Sequence, residues 1–231
     1  MQKYLCPSCG GEIVFQSNIS ASCVCSYCSS LIVRQDMNLE SLGKAAELPQ
    51  DISPLQIGTT GIYRGVNFGI IGRLRVGWEE GAWNEWFLYT DKGEKAWLAE
   101  AQGDLAVIFE QEINEQALQA FAKAPLLGVG VTIANEFYMV CDIKSSAVIT
   151  AEGEFPRAIS VGRKSKNIDL IGRDNKFAGL EYEDDKLVGI FTGEYVEFDS
   201  LKFKNLRDLD GWKIPRIAAK QENKTEKKTP W

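Results

Sequence analysis

The 231-residue sequence contains no histidine. This absence excludes Ser-His-Asp and Cys-His hydrolases, and it excludes every catalytic metal site that needs an imidazole ligand. Any acid–base chemistry would therefore have to come from carboxylates.

Long apolar runs are also absent. The longest mainly apolar stretch, from Pro125 to Ala134, is too short to span a bilayer and is interrupted by Gly128 and Gly130. The N-terminal residues lack the apolar core of a secretory signal. Because the cysteines show metal-ligand spacing rather than the pattern of a small secreted chain, we expect a cytoplasmic protein without a transmembrane segment.

Positive charge is scarce in most of the chain. The net charge is −6, but from Lys213 onward the sequence carries six basic and two acidic residues, which leaves 20 basic against 30 acidic residues before it. Because a phosphate backbone is negatively charged, this acidic excess before residue 213 disfavours nucleic acid as a partner. Residues 213–231 predict a flexible basic tail whose terminal Trp231 could dock in a protein partner, and whose charge allows weak peripheral membrane association.

Two pairs of cysteines stand out near the N-terminus. Two residues separate the cysteines within each pair, and fifteen residues separate the two pairs. This is the spacing of a zinc ribbon, in which a hairpin folds one pair onto the other. We therefore predict a structural Zn²⁺ site formed by Cys6, Cys9, Cys25 and Cys28. Four thiolates fill a tetrahedral shell, so no position is left for a substrate.

The two remaining cysteines need separate interpretations. Cys23 lies two residues before Cys25 and could compete as a ligand. The matching spacing of the two pairs favours Cys25 with Cys28, which leaves Cys23 as a strand residue. We predict Cys141 to be a small apolar core residue.

The rest of the pattern predicts a mainly β fold. We assign residues 1–34 to the zinc ribbon, residues 35–53 to a polar linker with a short helix near Leu39 to Leu48, and residues 54–212 to a β-domain. Within that domain, short β-rich runs divided by Gly, Asp and Asn indicate an antiparallel barrel or sandwich.

One helix is predicted inside the β-domain, at about residues 114–123. Asn114 is a plausible N-cap, and Pro125 prevents the helix from continuing. The spacing places Ala117, Leu118 and Phe121 on one apolar face.

An internal repeat divides the β-domain into modules of about residues 55–110 and 125–205, bridged by the helix. A shift of 82 residues superposes apolar positions and turns: Leu88, Ala96, Leu98, Leu105, Ile108 and Phe109 fall on Leu170, Ala178, Leu180, Leu187, Ile190 and Phe191, and Gly93 and Gly103 fall on Asn175 and Asp185. Upstream, a shift of 69 lays Phe68 on Phe137. Chance similarity between amphipathic hairpins is the alternative explanation.

The segment from Trp83 to Tyr89 is apolar on both faces of a strand, with Trp83, Phe87 and Tyr89 on one face and Trp86 and Leu88 on the other. Such a strand is covered on both sides.

Glu85 would then lie among aromatic side chains, where a carboxylate needs a partner. We expect that partner to be Arg64, Arg73 or Arg75.

These motifs resemble a known bacterial family. The ribbon Cys-Pro-Ser-Cys-Gly-Gly and Cys-Ser-Tyr-Cys-Ser-Ser-Leu-Ile-Val-Arg, then Trp-Asn-Glu-Trp-Phe-Leu-Tyr, Trp97-Leu98 and Glu-Gly-Glu-Phe-Pro at 152–156 resemble the domain of unknown function DUF4178. The resemblance extends from Cys6 to about Leu206. Proteins of this family are often encoded near genes for polyamine synthesis and membrane stress, so the resemblance implies a role in a process shared with them. It assigns no catalytic residue.

Three functions follow from the sequence, in order of preference. The first is a zinc-binding, non-enzymatic adaptor or scaffold that binds a protein partner. The second is an enzyme that uses the carboxylates of Glu85 and Glu154, the one pair that falls at motif-like segments of both modules. The third is a single-stranded nucleic-acid binder that stacks bases on its tryptophans.

Overall fold

Strands account for most of the chain, as the alternating pattern predicts. The computed structural model describes residues 3–35, 38–45 and 53–209. The strands are Lys3–Leu5 (β1), Glu12–Val14 (β2), Ser22–Val24 (β3), Ser30–Gln35 (β4), Asn38–Lys44 (β5), Thr60–Tyr63 (β6), Val66–Trp78 (β7), Gly81–Thr90 (β8), Lys95–Ala101 (β9), Asp104–Glu110 (β10), Gly130–Ile133 (β11), Glu136–Phe155 (β12), Lys164–Ile171 (β13), Lys176–Glu183 (β14) and Lys186–Val196 (β15).

One α-helix, Glu115–Ala120 (α1), and one 3₁₀ turn, Phe198–Leu201, complete the described elements. No helix among the described residues has the length and apolar character needed to cross a membrane.

The N-terminal ribbon consists of the hairpin β1–β2 and the three antiparallel strands β3, β4 and β5. The predicted helix near Leu39 to Leu48 is wrong over its first half. Residues Asn38–Lys44 instead pair with β4 as strand β5, with a register shift at Leu31 and Ile32. The segment therefore extends the ribbon sheet rather than only linking domains, and residues 46–52 lie outside the described residues.

Eight strands of the β-domain pair in a closed circuit. Their order is β7, β8, β9, β10, β15, β14, β13 and β12, and the antiparallel pairing of β12 with β7 returns the circuit to its start. Closure satisfies the backbone groups that an edge strand would expose. β6 and β11 add short hairpin strands beside β7 and β12.

The β-domain consists of two similar five-stranded modules, β6–β10 and β11–β15, each of which contributes four strands to the circuit. The two copies meet in antiparallel pairs, β10 with β15 and β7 with β12. The hairpin turns that superpose at a shift of 82 share a positive φ at Gly93 and Asn175, and at Gly103 and Asp185. The matched turns of the two modules therefore share a backbone conformation, which tight hairpin turns commonly adopt.

The upstream shift of 69 is wrong by one residue. Gly58 donates its N–H to the Ile70 carbonyl, and Gly128 makes the same bond to Val140, so the true shift is 70. Phe68 then corresponds to buried Tyr138. Because strand side chains alternate between faces, a one-residue error exchanges the inner and outer faces.

Each module's outer face is covered by the segment that follows the other module. Helix α1 and its flanks cover the second module, where Phe121 packs with Tyr138 and Tyr182. The segment around Phe198–Leu201 covers the first module, where Leu201 packs with Phe68. This exchange interlocks the two copies.

The helix itself is shorter than predicted. Asn114 is the N-cap, and its side chain accepts a hydrogen bond from the Ala117 N–H, but the helix ends at Ala120. Phe121 is buried as expected, whereas the side chain of Leu118 is 49% exposed.

The aromatic strand β8 has the two covered faces that its sequence predicts. Phe87 belongs to an inner cluster against which Trp83 and Tyr89 pack. Trp86 and Leu88 belong to an outer cluster on the opposite face.

Gly193 lies on β15, at the pairing of the two modules. A Cβ atom there would lie 1.9 Å from the Val107 carbonyl oxygen. We expect Gly193→Ala to lower the free energy of unfolding by about 1–3 kcal/mol, because the strands must separate to admit the methyl group. Urea denaturation measures the change. Gly69→Ala in β7, where no atom lies within 4 Å, is the control and should be close to neutral; equal losses would contradict the close-approach argument.

Candidate metal centre and barrel cavity

Four cysteine sulfurs of the ribbon meet at one point. The Sγ atoms of Cys6, Cys9, Cys25 and Cys28 all lie within 4.8 Å of one another. The Cys6–Cys28 and Cys9–Cys25 sulfur pairs are each 3.8 Å apart. A tetrahedron of thiolates ~2.3 Å from a central ion has edges of about 3.8 Å, so this donor set fits a tetrahedral metal ion. All four are free thiols, at distances too long for disulfides.

The two cysteine pairs sit in matching backbone turns. Cys6 receives a hydrogen bond from the Gly10 N–H and donates to the Gly11 carbonyl, and Cys25 repeats this pattern with Ser29 and Ser30. Gly10 has a φ of 76° and Ser29 a φ of 57°. Glycine adopts this conformation freely and serine does so at some cost, so the second turn is the more strained of the two.

Backbone and hydroxyl groups contact the sulfurs. Hydrogen bonds between Cys28 and the hydroxyl and backbone of Ser30 lower the pKa of Cys28 to about 6. The Gly11 N–H acts to lower the pKa of Cys9, but the neighbouring thiols and burial raise it overall to about 12. Without a cation the cluster cannot hold four negative charges together, so full ionisation requires a bound metal ion.

Cys23 lies apart from this cluster. It is a buried residue of β3, paired with Ile32 of β4 on one side and Glu154 of β12 on the other. Burial, and then the charge of Glu154, raise the pKa of the Cys23 thiol to about 12.

Cys141 contradicts its prediction as a core residue. It is exposed, and its thiol donates to the Asp169 carbonyl oxygen. The reason is a β-bulge in β12 between Val140 and Asp142, which turns the intervening side chain outward.

Glu154 joins the ribbon to the barrel. Its carboxylate accepts hydrogen bonds from the N–H groups of Gln16 and Ser17, at 2.6 and 3.3 Å, and from the Ser20 hydroxyl at 2.7 Å. The side chain is buried. A carboxylate can accept all three donors, so the residue is a structural anchor for the ribbon loop.

The expected arginine partners of Glu85 are wrong. In β7, Leu74 lies opposite Glu85, whereas Arg73 and Arg75 lie opposite Trp86 and Asn84, on the other face of the sheet. Both arginines donate to the Asn84 side-chain oxygen.

The third expected partner, Arg64, pairs with Glu194. Glu85 accepts a hydrogen bond from the Trp83 indole N–H at 2.9 Å.

Glu85 faces a cavity of about 240 Å³ inside the barrel. Tryptophans from three places line it, with carboxylates and two basic side chains: Trp78, Trp83, Trp97, Glu85, Asp104, Asp169, Glu181, Lys144 and Arg157. Burial, and then the charge of Glu181, raise the pKa of Glu85, and burial raises the pKa of Asp169.

Glu154 does not line this cavity and instead borders a crevice beside the ribbon. The two carboxylates proposed as a catalytic pair therefore do not face a common cavity. Strand alternation in β8 could have placed Glu85 inside the barrel, but no sequence signal pointed to Asp169 or Glu181.

An exposed apolar surface lies at one end of the second module. We call it the second-module apolar patch, and it consists of Leu126, Leu127, Phe137, Met139 and Ile171, whose side chains are 71%, 65%, 60%, 46% and 47% exposed. Met139 pairs directly with Ile171, and Phe137 lies two residues away on the same face of β12. The one-residue error in the repeat hid this patch, because it matched exposed Phe137 to buried Phe68. The tail from 213 to 231, with Trp231, lies outside the described residues.

The comparisons with known proteins give one match. A family model described as "Domain of unknown function (DUF4178)" matches residues 56–198. The chain matches no curated protein and no solved structure in the corresponding comparisons. The matched range covers both repeated modules from β6 to β15 and leaves the cysteine ribbon outside.

Glu154→Gln tests the anchor between ribbon and barrel. The substitution replaces one carboxylate oxygen by an NH₂ group, which cannot accept a hydrogen bond from the three donors that surround it. We therefore expect faster hydrogen exchange at the N–H groups of Gln16 and Ser17, and a loss of about 1–3 kcal/mol in the free energy of unfolding. Exchange by NMR and urea denaturation measure both. Glu12→Gln, which removes a solvent-exposed pair with Lys3, is the control and should change little. Unchanged exchange at residues 16 and 17 would contradict the anchor.

Proposed function

The chain belongs to the DUF4178 family, and from that premise we propose that it is a zinc-binding adaptor without enzymatic activity. Its ribbon is a structural zinc site, and its barrel presents a docking face to a protein partner. The observation that carries the proposal is the exposure of the second-module apolar patch, two of whose first-module equivalents, Tyr89 and Ile57, lie at the ribbon.

The donor set supports zinc. Four thiolates with tetrahedral spacing favour Zn²⁺ or iron among the common metals, and hard cations such as Mg²⁺ and Ca²⁺ prefer oxygen ligands. The ribbon's own buried cluster is small, with Ile13, Phe15 and Ile32 as its buried non-cysteine members. A core of this size needs an additional source of stability, and a metal ion bound by four cysteines provides it.

The repeat supports a docking role for the patch. In the first module, Tyr89 is the equivalent of Ile171, and its hydroxyl contacts Asn18 of the ribbon. Ile57 is the equivalent of Leu127, and it borders the crevice between ribbon and barrel. The first copy thus receives the ribbon at the position where the second copy exposes apolar side chains. Exposed contiguous apolar surface of this kind marks interaction sites.

The two alternative functions have less support. A carboxylate enzyme using Glu85 and Glu154 would need both groups in one cleft, and they border different cavities. A single-strand binder would need exposed tryptophans on a basic surface. Trp86 and Trp97 are buried, and the chain carries an excess of acidic residues.

The compartment and the pathway follow as parts of the same proposal. A reduced four-thiolate site suits the cytoplasm. The resemblance to proteins encoded near polyamine-synthesis and membrane-stress genes suggests where to search for the partner, and docking by Trp231 is a second mode of attachment.

Metal analysis tests the zinc site. We expect one zinc ion per chain in the purified full-length protein, and a lower melting temperature after chelation, because the ion holds the ribbon together. Cys9→Ser should lose the metal. Cys23→Ser and Cys141→Ser are matched controls that should keep it. Iron in place of zinc would contradict the metal assignment, and metal loss in Cys23→Ser would contradict the ligand set.

Photo-crosslinking in the host cell tests the docking face. A benzoylphenylalanine at Phe137 should give one discrete adduct with another protein, and the adduct should disappear when Leu127→Glu places a charge in the patch. Leu127 is 65% exposed, so this change should leave the fold intact.

The same probe at Asn67, the first-module equivalent of Phe137, is the control and should give no such adduct. The absence of an adduct from position 137, or an adduct only between two copies of the chain, would contradict an adaptor that binds a different protein.

A further inference from the structure

The interior of the barrel differs between the two repeats. At the shift of 82, Phe87 of the first module corresponds to Asp169, and Ala99 corresponds to Glu181. Both acidic side chains line the cavity of about 240 Å³. Charged groups inside a barrel cost stability unless a partner compensates them. At these two positions the second copy carries charge where the first is apolar, and Glu85 and Asp104 of the first copy add two further carboxylates to the same cavity.

We propose that this cavity binds a small organic cation with a primary or quaternary ammonium group. The proposal concerns a ligand site inside the barrel and does not depend on the adaptor role or on the zinc site.

The balance of charge in the cavity favours a cation. Four carboxylate residues line it against two basic ones. Both basic groups already have carboxylate partners: Arg157 lies 3.7 Å from Glu110 and 3.6 Å from Glu181, and Lys144 is paired with Asp142. An anion would find no basic group without a partner among these lining residues.

Two carboxylates are poorly compensated. Glu181 has Arg157 and Arg163 beside it. The Asp169 carboxylate accepts no hydrogen bond from the described residues, and the cation that acts on it is Lys144. Glu85 has the Trp83 indole as its hydrogen-bond donor. Burial raises the pKa of both Asp169 and Glu85 despite the nearby basic groups, and an ammonium group in the cavity would favour their charged forms.

The aromatic walls suit the same ligand. The rings of Trp78 and Trp83 lie 5.5 Å apart and are tilted by 41°. The ammonium of Lys144 already lies 5.4 Å from the centre of the Trp78 ring. The wall therefore accepts an ammonium group in the geometry of a cation–π contact, which is how aromatic cages recognise quaternary ammonium ligands.

The size and opening of the cavity limit the ligand. A cavity of ~150 Å³ holds one benzene molecule, so by proportion this cavity holds about ten non-hydrogen atoms. Exposed Asp104 and Gln102, at the turn between β9 and β10, line the cavity as well, so it reaches the surface at a polar, acidic edge.

Paired probes separate charge from shape. Full-length, metal-loaded protein is titrated by calorimetry and tryptophan fluorescence with choline and its neutral isostere 3,3-dimethylbutan-1-ol, and with phenethylammonium and 2-phenylethanol. We expect each ammonium to bind about ten-fold more tightly than its isostere and to change tryptophan emission, because the charge contacts carboxylates and ring faces.

Variants assign the effect to the cavity. Asp169→Asn and Glu85→Gln should each weaken ammonium binding by about ten-fold while the circular dichroism spectrum is kept. Asp185→Asn is the matched control, because its side chain is 91% exposed on a hairpin turn, and it should bind as the parent does. Equal affinity for charged and neutral probes, tighter binding of benzoate than of either ammonium, or no binding by folded protein would each overturn the proposal.

Discussion

The antiparallel pairing of β7 with β12 is the interaction on which the rest of the fold depends. It closes the eight-stranded circuit, and β12 also pairs along its length with β11, β13 and the ribbon strand β3. Close approach requires glycine on both strands. A Cβ atom at Gly72 would lie 2.0 Å from the Glu154 carbonyl oxygen, and one at Gly153 would lie 2.2 Å from that of Ile71. The segment Gly-Glu at 153–154 thus serves two purposes, since glycine closes the barrel and glutamate holds the ribbon loop.

Because the barrel closes there, the ribbon has a rigid base. Ile19 and Val24 of the ribbon pack against the same inner cluster that contains Phe87 and Phe155. Hydrogen bonds to Glu154 hold the loop at residues 16–20 against the barrel. A metal ion bound by the four cysteines would therefore stabilise a ribbon that is already joined to the barrel.

The features that the sequence predicts correctly are local. Cysteine spacing places two turns, and Gly or Asn at hairpins accepts a positive φ whatever the rest of the chain does. The features that it misses depend on distant residues. The donors to Glu154 lie more than 130 positions away, and no spacing rule connects them. The β-bulge at Cys141 shifts the alternation of side chains by one residue. A bulge leaves no clear mark in the composition, so the sequence predicts a core position for Cys141 where the structure has an exposed one.

The two copies of the module differ at matched positions, both inside the barrel and on its surface. The first module has Phe87 and Ala99 at the positions of Asp169 and Glu181 and contacts the ribbon at Tyr89, but it also places Glu85 inside the barrel. The second module has acid inside at Asp169 and an exposed apolar side chain at Ile171, the last residue of the same strand, and each is unfavourable for an isolated molecule. Asp169 and Ile171 lie two residues apart on β13, so the acidic lining of the cavity and the exposed apolar surface meet on the same strand.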